Sequence, residues 1–305
     1  MDDITMNLLG LVSDLNGVPD GAYNIRLDSG CAGRSSTENI QIVSKTDRSG
    51  IDIIVKPGTK GETVYIPAII SHSGVHDLVY NDFIIGEDAD VTIVAGCGVH
   101  SAGCDASEHN GIHSFSLAKG ARVKYVEKHI GTGEGTGERI INPKTYAVLE
   151  EGSYLEMETT QIKGVDSTKR LTKCRLNDNA KVVIHEKIMT HGKQTAETDF
   201  EVELNGVDSA AELVSRSVAR DDSKQLFLSK MIGNAQCAGH SECDAIIMDN
   251  GVVSAIPEVT ANDVDAALMH EAVIGKIAGE QLIKLMTLGL TEEEAEHKII
   301  DGFLA

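Results

Sequence analysis

Tryptophan is absent from the 305-residue chain, and the other aromatics are few: five Phe and six Tyr. A surface that stacks sugars or nucleobases on aromatic platforms is therefore not expected. Basic residues are also in deficit, with 27 Lys and Arg against 47 Asp and Glu, for a formal charge of -20. Such a chain lacks the basic stripe that displaces counterions from nucleic acid or seats on an anionic membrane. No apolar run approaches the ~20 residues of a spanning helix. The longest early stretch, Met6 to Val12, is interrupted by Asn7 and Gly10, and the acidic start Met1-Asp2-Asp3-Ile4 is unlike a secretory leader. These absences read as a soluble, cytoplasmic protein with neither nucleic acid nor membrane as partner.

Familiar catalytic devices are missing too. There is no P-loop and no G-x-S-x-G elbow, while His185-Glu186 and His270-Glu271 lack the second His of a zinc protease motif. Gly131-Thr132-Gly133-Glu134-Gly135-Thr136-Gly137 resembles a phosphate cradle but lacks the third glycine of the dinucleotide spacing and any βαβ context, and it reads as a mobile loop.

What is present is a repeat. Residues 22–261 carry short alternating strands punctuated by Gly, Asn and Asp. A turn, a small residue and an alternating strand recur at Ala89, Ala121, Ser153 and Ala180, with a fifth unit taken at Ala211. A spacing of about 30 residues without intervening helices points to a β-solenoid, with a β-sandwich of similar turns as the alternative. Residues 1–21 hold a short helix over 2–16, with Ile4, Leu8, Leu11/Val12 and Leu15 at helical spacing. From Asp263 the pattern predicts helix: Ala266–Ala272, then Glu280–Leu288 closed by Gly289, then a capping box from Thr291 to Glu294. Residues 262–305 thus read as a helical domain that caps the solenoid's open end or docks a partner.

Six cysteines in a reducing compartment are thiols or metal ligands rather than a disulfide framework. Cys31 and Cys174 stand alone and read as small buried hydrophobes. Cys97, His100, Cys104, His109 and His113 form one donor-rich cluster able to ligate a soft metal. Cys237-Ala238-Gly239-His240-Ser241-Glu242-Cys243-Asp244 forms a second, with His270-Glu271 downstream. Thiolates suit iron–sulfur chemistry, and an incomplete local set suits a transient or shared cluster.

At these residues the sequence resembles the SufB/SufD family of iron–sulfur cluster assembly scaffolds. The likeness is carried by Ser215-Arg216-Ser217-Val218-Ala219-Arg220, the Cys237–Ala245 motif, Ile256-Pro257-Glu258, His270-Glu271-Ala272 with Gly275-Lys276-Ile277, and Leu288 to Ala295 with Gly302-Phe303. Tyr125-Val126-Glu127-Lys128-His129 and Asn142-Pro143 resemble the family's short members.

The resemblance implies a mainly β protein, a right-handed parallel β-helix core with a small C-terminal helical domain. It also implies docking of the ABC-type ATPase SufC on that domain, sulfur delivery by a cysteine desulfurase system, and a transient iron–sulfur cluster passed to apoproteins. It gives Cys243 the role of sulfur acceptor and iron ligand, with Cys237 and Glu271 as further ligands and His240, Glu242 and His270 as secondary candidates. Cys174 and Cys97 are both candidates for the thiol that first receives sulfur. A cysteine rather than a histidine at 243 favours a SufB-like homodimer. Such a protein is a scaffold, not an enzyme, since ATP hydrolysis belongs to its partner; a SufD-like structural adaptor is the alternative. No flavin motif is visible, so use of a reduced flavin stays open.

Overall fold

The computed structural model describes residues 1–305. The molecule is mostly strand, a parallel β-solenoid of about eight turns with three helices. Successive strands alternate between two facing sheets, so each coil adds to both. Antiparallel pairing is found in the opening hairpins, Ala22–Leu27 with Gly30–Ser35 and Ile40–Ser44 with Gly50–Val55.

The repeating unit has a backbone cause. Asp88, Gly120, Gly152, Asn179 and Asp208 hold φ between 56 and 67°. Gly, Asn and Asp are the residues that enter this left-handed region at least cost. The next residue, Ala89, Ala121, Ser153, Ala180 or Ser209, is buried and donates its amide to the carbonyl three residues back. It must be small because its equivalents stack on it. The register places the fifth member at Ser209, not at the expected Ala211, because Lys181 pairs with Ala210. The same column continues through Cys237 to Ala266.

Two expectations are corrected. Ala266–Gly275 is not helix but the last strand of its sheet, parallel to Cys237–Ile247. The short Ala-rich run fits both periods; Leu268, His270 and Ala272 occupy alternate positions, and the strand edge beside them supplies the hydrogen bonds that decide the outcome. The stack therefore extends past residue 261, and helix is confined to Gly279–Thr287 and Glu292–Leu304. The capping box forms as expected, Thr291 with Glu294. These helices do not cap the open end: Ile300 and Leu304 pack on the flank against Val218 and Met248. The second correction concerns Gly131–Gly137, which is no free loop. Gly135 and Gly137 donate their amides to the carbonyls of Ser101 and Gly103, and a Cβ on either would lie within 2.4 Å of the neighbouring backbone.

The N-terminal helix, Asp3–Ser13, is capped by the Asp2 carboxylate, which accepts from the Thr5 amide at 2.8 Å. Leu8, Leu9 and Val12 form its buried stripe, while Ile4 and Leu11 stay exposed. The helix lies on Gly96 and Gly98 of the strand Asp90–His100. The two-residue strand period turns those glycines outward under the helix and Cys97 inward.

The lumen is divided lengthwise. One side is apolar, with Phe83 and Phe115 stacked at 4.2 Å and a ladder of Leu117, Leu149, Leu176 and Leu204. The other carries Asp77, His109, Glu127, His129, Arg170 and Glu186, none more than 5% exposed.

A Cβ on Gly96 would stand 2.5 Å from the Val12 carbonyl oxygen. Gly96→Val is expected to lift the helix and destabilise the protein by ~1–3 kcal/mol. Thermal unfolding and limited proteolysis of residues 1–21 check this; an unchanged Tm and cleavage pattern would contradict the seating of the helix.

Candidate functional site

The buried ionic side chains form a continuous series with charges alternating in sign. Arg26 grips Asp77 through Nε and Nη2 at 2.7 and 2.5 Å. Asp77 Oδ2 accepts from His109 Nδ1 at 3.0 Å. His109 borders the same small cavity as Cys97, and the charges of His109 and His129 both act on its thiol. His129 Nε2 stands 3.4 Å from Glu127, and Glu127 accepts from Arg170 Nη1 at 2.7 Å. Arg170 Nε reaches Glu186 at 3.3 Å, and Glu186 also accepts from the hydroxyls of Thr198 and Ser215 at 2.9 Å each. Ser215 lies beside Cys243 in the next coil.

Each ionisation state has a local cause. Burial would raise the Glu127 carboxyl, but the charges of His129 and Arg170 hold it well below the usual carboxylate range. Burial likewise opposes charge on His129, yet Glu127 and Cys97 raise it to about 9. Desolvation brings His113 down to about 4, leaving it neutral. The neutral ring donates from Nδ1 to the Tyr125 oxygen at 2.9 Å, since the Tyr125 hydroxyl is committed to Glu127 at 2.8 Å.

The cysteines separate sharply in this setting. Burial works against a Cys97 thiolate, but the charge and hydrogen bonding of His109, then of His129, overcome it and hold the thiol at about 7. Cys174, inside the apolar half, is pushed up to about 12 by burial alone. Cys31 and Cys104 are exposed. The expected metal cluster around Cys97 is not assembled: Cys104 is on the surface, and His100 bonds Thr132 Oγ1 at 3.0 Å. Cys97, His109 and His113 border one small cavity, but no three donors are set to hold a metal ion. A close-set run of donors in sequence is dispersed because adjacent strand residues point to opposite faces.

The second motif is a strand, Cys237–Ile247, with Cys237, Gly239, Ser241, Cys243 and Ala245 alternating inward. Cys237 and Cys243 are therefore six residues apart along one extended strand, about 20 Å, and do not share a metal within one chain. Cys237 fills the small-residue column at the turn. Cys243 is 1% exposed, and burial, then Glu186 and Asp244, push its thiol up to about 12. On the last strand the pairs are Ser241 with His270, Glu242 with Glu271 and Cys243 with Ala272. His270 shares the inward face with Cys243, and its Nδ1 is buried without a partner. Glu271 points outward, where its Oε1 lies 3.9 Å from His240 Nε2. Desolvation, then the nearby His240, keeps the His270 pKa low, so its ring favours the neutral, ligand-competent form. Desolvation and repulsion from Asp244 raise the Glu242 carboxyl.

Sequence reasoning missed Asp77, Glu127, His129, Arg170 and Glu186 as a unit. The available signal was a charged or imidazole side chain at inward positions of otherwise apolar strands, Tyr125-Glu127-His129 being the clearest case.

Arg170 is the cation shared by two buried carboxylates. Arg170→Met is expected to destabilise by ~3–5 kcal/mol, because Glu127 and Glu186 are left to repel one another in a low dielectric. Adding Glu127→Gln should recover part of that loss. Urea unfolding checks both, and equal stability of Arg170→Met and the parent would refute the shared-cation role.

Comparison with known proteins bears on what this arrangement serves. The family model described as "SUF system FeS cluster assembly, SufBD core domain" matches residues 72–303. An iron–sulfur cluster assembly SufBD family protein of Methanothermobacter thermautotrophicus (strain Delta H) is 29% identical over 269 residues, covering 85% of this chain and 63% of the relative. A protein of the same description from Archaeoglobus fulgidus is 27% identical over 273 residues, covering 89% and 72%. The iron–sulfur cluster assembly protein SufB of Bacillus subtilis is 27% identical over 227 residues, covering 72% of this chain and 47% of that protein. The chain thus spans less than two thirds of the Methanothermobacter protein and about half of the Bacillus one.

Proposed function

The chain belongs to the SufBD family of iron–sulfur cluster assembly proteins, and from that premise we propose that it is a scaffold subunit on which sulfur and iron meet at Cys243. The observation that carries this reading is the polar, charge-alternating side of the lumen, which runs from Cys97 near the N-terminal coils to Cys243 near the open C-terminal end. Cys97 receives sulfur and Cys243 is where it is combined with iron. Cys97 is preferred to Cys174 for the first role because its two imidazoles favour a thiolate, the nucleophilic form, whereas Cys174 has no charged group to stabilise one.

Cys243 is held as a thiol by burial, so metal binding must displace its proton, and the last strands must part for iron to reach it. His270 shares its face and Glu271 waits on the other side of the same strand, so a shift of that strand alters which of them accompanies the thiolate. The end strands Val252–Ala261 and Ala266–Gly275 have no further coil upon them, and Ile256, Met269 and Val273 are at least half exposed there. A second copy of the chain covers this end, bringing two Cys243 sites toward one interface. Gly279–Thr287 buries no residue, and Ile283 and Met286 on it and Leu288 after it are exposed. That apolar face receives an ATPase of the SufC type, whose ATP hydrolysis drives the opening. A cysteine desulfurase system supplies sulfur, apoproteins take the finished cluster, and the scaffold itself turns over no substrate.

Anaerobic reconstitution with a SufC-type partner, iron and sulfide tests the proposal by visible charge-transfer absorbance and iron content. The parent should bind iron and sulfide, Cys243→Ser should lose both signals, and Cys237→Ala and Cys174→Ser should retain them. A stable complex with the ATPase but no chromophore in any variant would replace the scaffold by a structural adaptor.

A further inference from the structure

We infer that His109 is the acid–base group serving Cys97, oriented by Asp77, so that these three side chains form a nucleophile–base–carboxylate relay inside the solenoid. The inference rests on the reading of Cys97 as the sulfur-accepting residue and adds the groups that make it reactive.

The relay is geometric first. Cys97 lies on the strand Asp90–His100, His109 on Ser107–Leu117 in the facing sheet, and Asp77 one coil before His109, on His76–Ile85. Asp77 accepts a hydrogen bond from Nδ1 of His109, which leaves Nε2 to exchange a proton with sulfur in the cavity that His109 and Cys97 both border. Arg26 fixes the Asp77 carboxylate from the other side with two hydrogen bonds. Gly111 is part of the same construction. A Cβ there would lie 3.1 Å from His113 Nε2 and 3.4 Å from His109 Nε2, so only glycine leaves both imidazoles undisturbed.

Beside Cys97 is a cavity of about 20 Å³, bordered by Arg26, Asn81, His109 and His113. That is room for a single water-sized atom, or for the one sulfur that a persulfide adds to a thiol. Asn81 donates through Nδ2 to His113 Nε2 at 3.4 Å, while its Oδ1, on a side chain 8% exposed, has no partner. An S–H in the cavity would satisfy this orphaned acceptor.

The step balances without an oxidant. The donor is a persulfide, R–S–SH. The Cys97 thiolate attacks its terminal sulfur, the new S–S bond forms on Cys97, and the donor S–S bond breaks with its electron pair on R–S⁻. The His109 Nε2 proton passes to that leaving thiolate, giving Cys97–S–SH, R–SH and a neutral imidazole.

Groups from every neighbouring strand act on the pair: Arg26, Asp77, His113, Tyr125, Glu127, His129 and, one coil beyond, Arg170. Burial disfavours a charged His109, but Cys97 and Asp77 raise it to about 10, while the Cys97 thiol lies at about 7. The sign follows. Thiolate is lost as pH falls through about 7, and the imidazolium proton is lost as pH rises through about 10. Sulfur acceptance should fall on both sides of that window.

The test reads thiolate absorbance in the ultraviolet across pH, as the difference between the full chain and its Cys97→Ser variant. A midpoint near neutrality is expected for the parent. His109→Gln should move it up by about 1–3 pH units, the effect of losing an opposite charge at contact distance, and should remove the alkaline limb of persulfide uptake from a small alkyl persulfide. Asp77→Asn, close in volume, should shift the midpoint in the same direction by less, and it serves should His109→Gln not fold. An unmoved midpoint in the folded variants overturns the relay, even if Cys97→Ser abolishes uptake. Full uptake by Cys97→Ser overturns instead the assignment of Cys97 itself, whatever the absorbance shows.

Discussion

In-register parallel stacking is the constraint to which the rest of this molecule answers. Each inward side chain rests on its counterparts one coil away, about 4.8 Å along the axis. For Leu117, Leu149, Leu176 and Leu204 that repetition is favourable and builds a dry ladder. For charges it would be ruinous, because like would rest on like with no solvent between. The chain meets this by changing the residue type from coil to coil and by setting opposite charges on facing sheets. Ala95, Glu127, Thr159, Glu186, Ser215 and Cys243 succeed one another in a single inward row, so the two carboxylates are spaced by a threonine. Arg170, from the opposite sheet, reaches both.

The same rule explains what could and could not be read from the residues. The left-handed turn position and the small residue after it are local, so the solenoid was legible at Ala89, Ala121, Ser153 and Ala180. Ser209 was missed because register belongs to pairing, and two small residues lay within reach of one another. The misreading of Ala266–Gly275 has the same origin: alanine-rich segments carry little period of their own, and a neighbouring strand edge outweighs helix propensity. The donor clusters failed differently. Proximity in sequence was taken for proximity in space, but alternate strand residues face opposite ways, which parts His240 and Glu271 from Cys243. Of the groups around Cys97, His109 and His113 were already in its sequence cluster, whereas Arg26, Asp77 and His129 come from other coils, at separations that no local motif records.

The two ends of the lumen are finished in contrasting ways. At the start, antiparallel hairpins and the helix Asp3–Ser13 cover the first coils, and Arg26, tied to Asp77, lies over the cavity at Cys97. At the finish the last strands are bare and the terminal helix packs aside on Val218 and Met248. A closed start suits a thiol kept charged in a preorganised site. An open finish suits a buried thiol that must be uncovered to react. The alternation of charge between them gives the interior a polarity that neither end has alone.

Strand stacking also makes the lumen a ruler. The strand of Cys243 stands five coils beyond that of Ala95 and Cys97, so the axial distance between the thiols comes in whole strand spacings, roughly 24 Å in total. Inserting or deleting an entire turn would change that distance by one graduation while leaving both ends unaltered. Within such an architecture, lineages can lengthen or shorten the path between the two thiols without redesigning the surroundings of either.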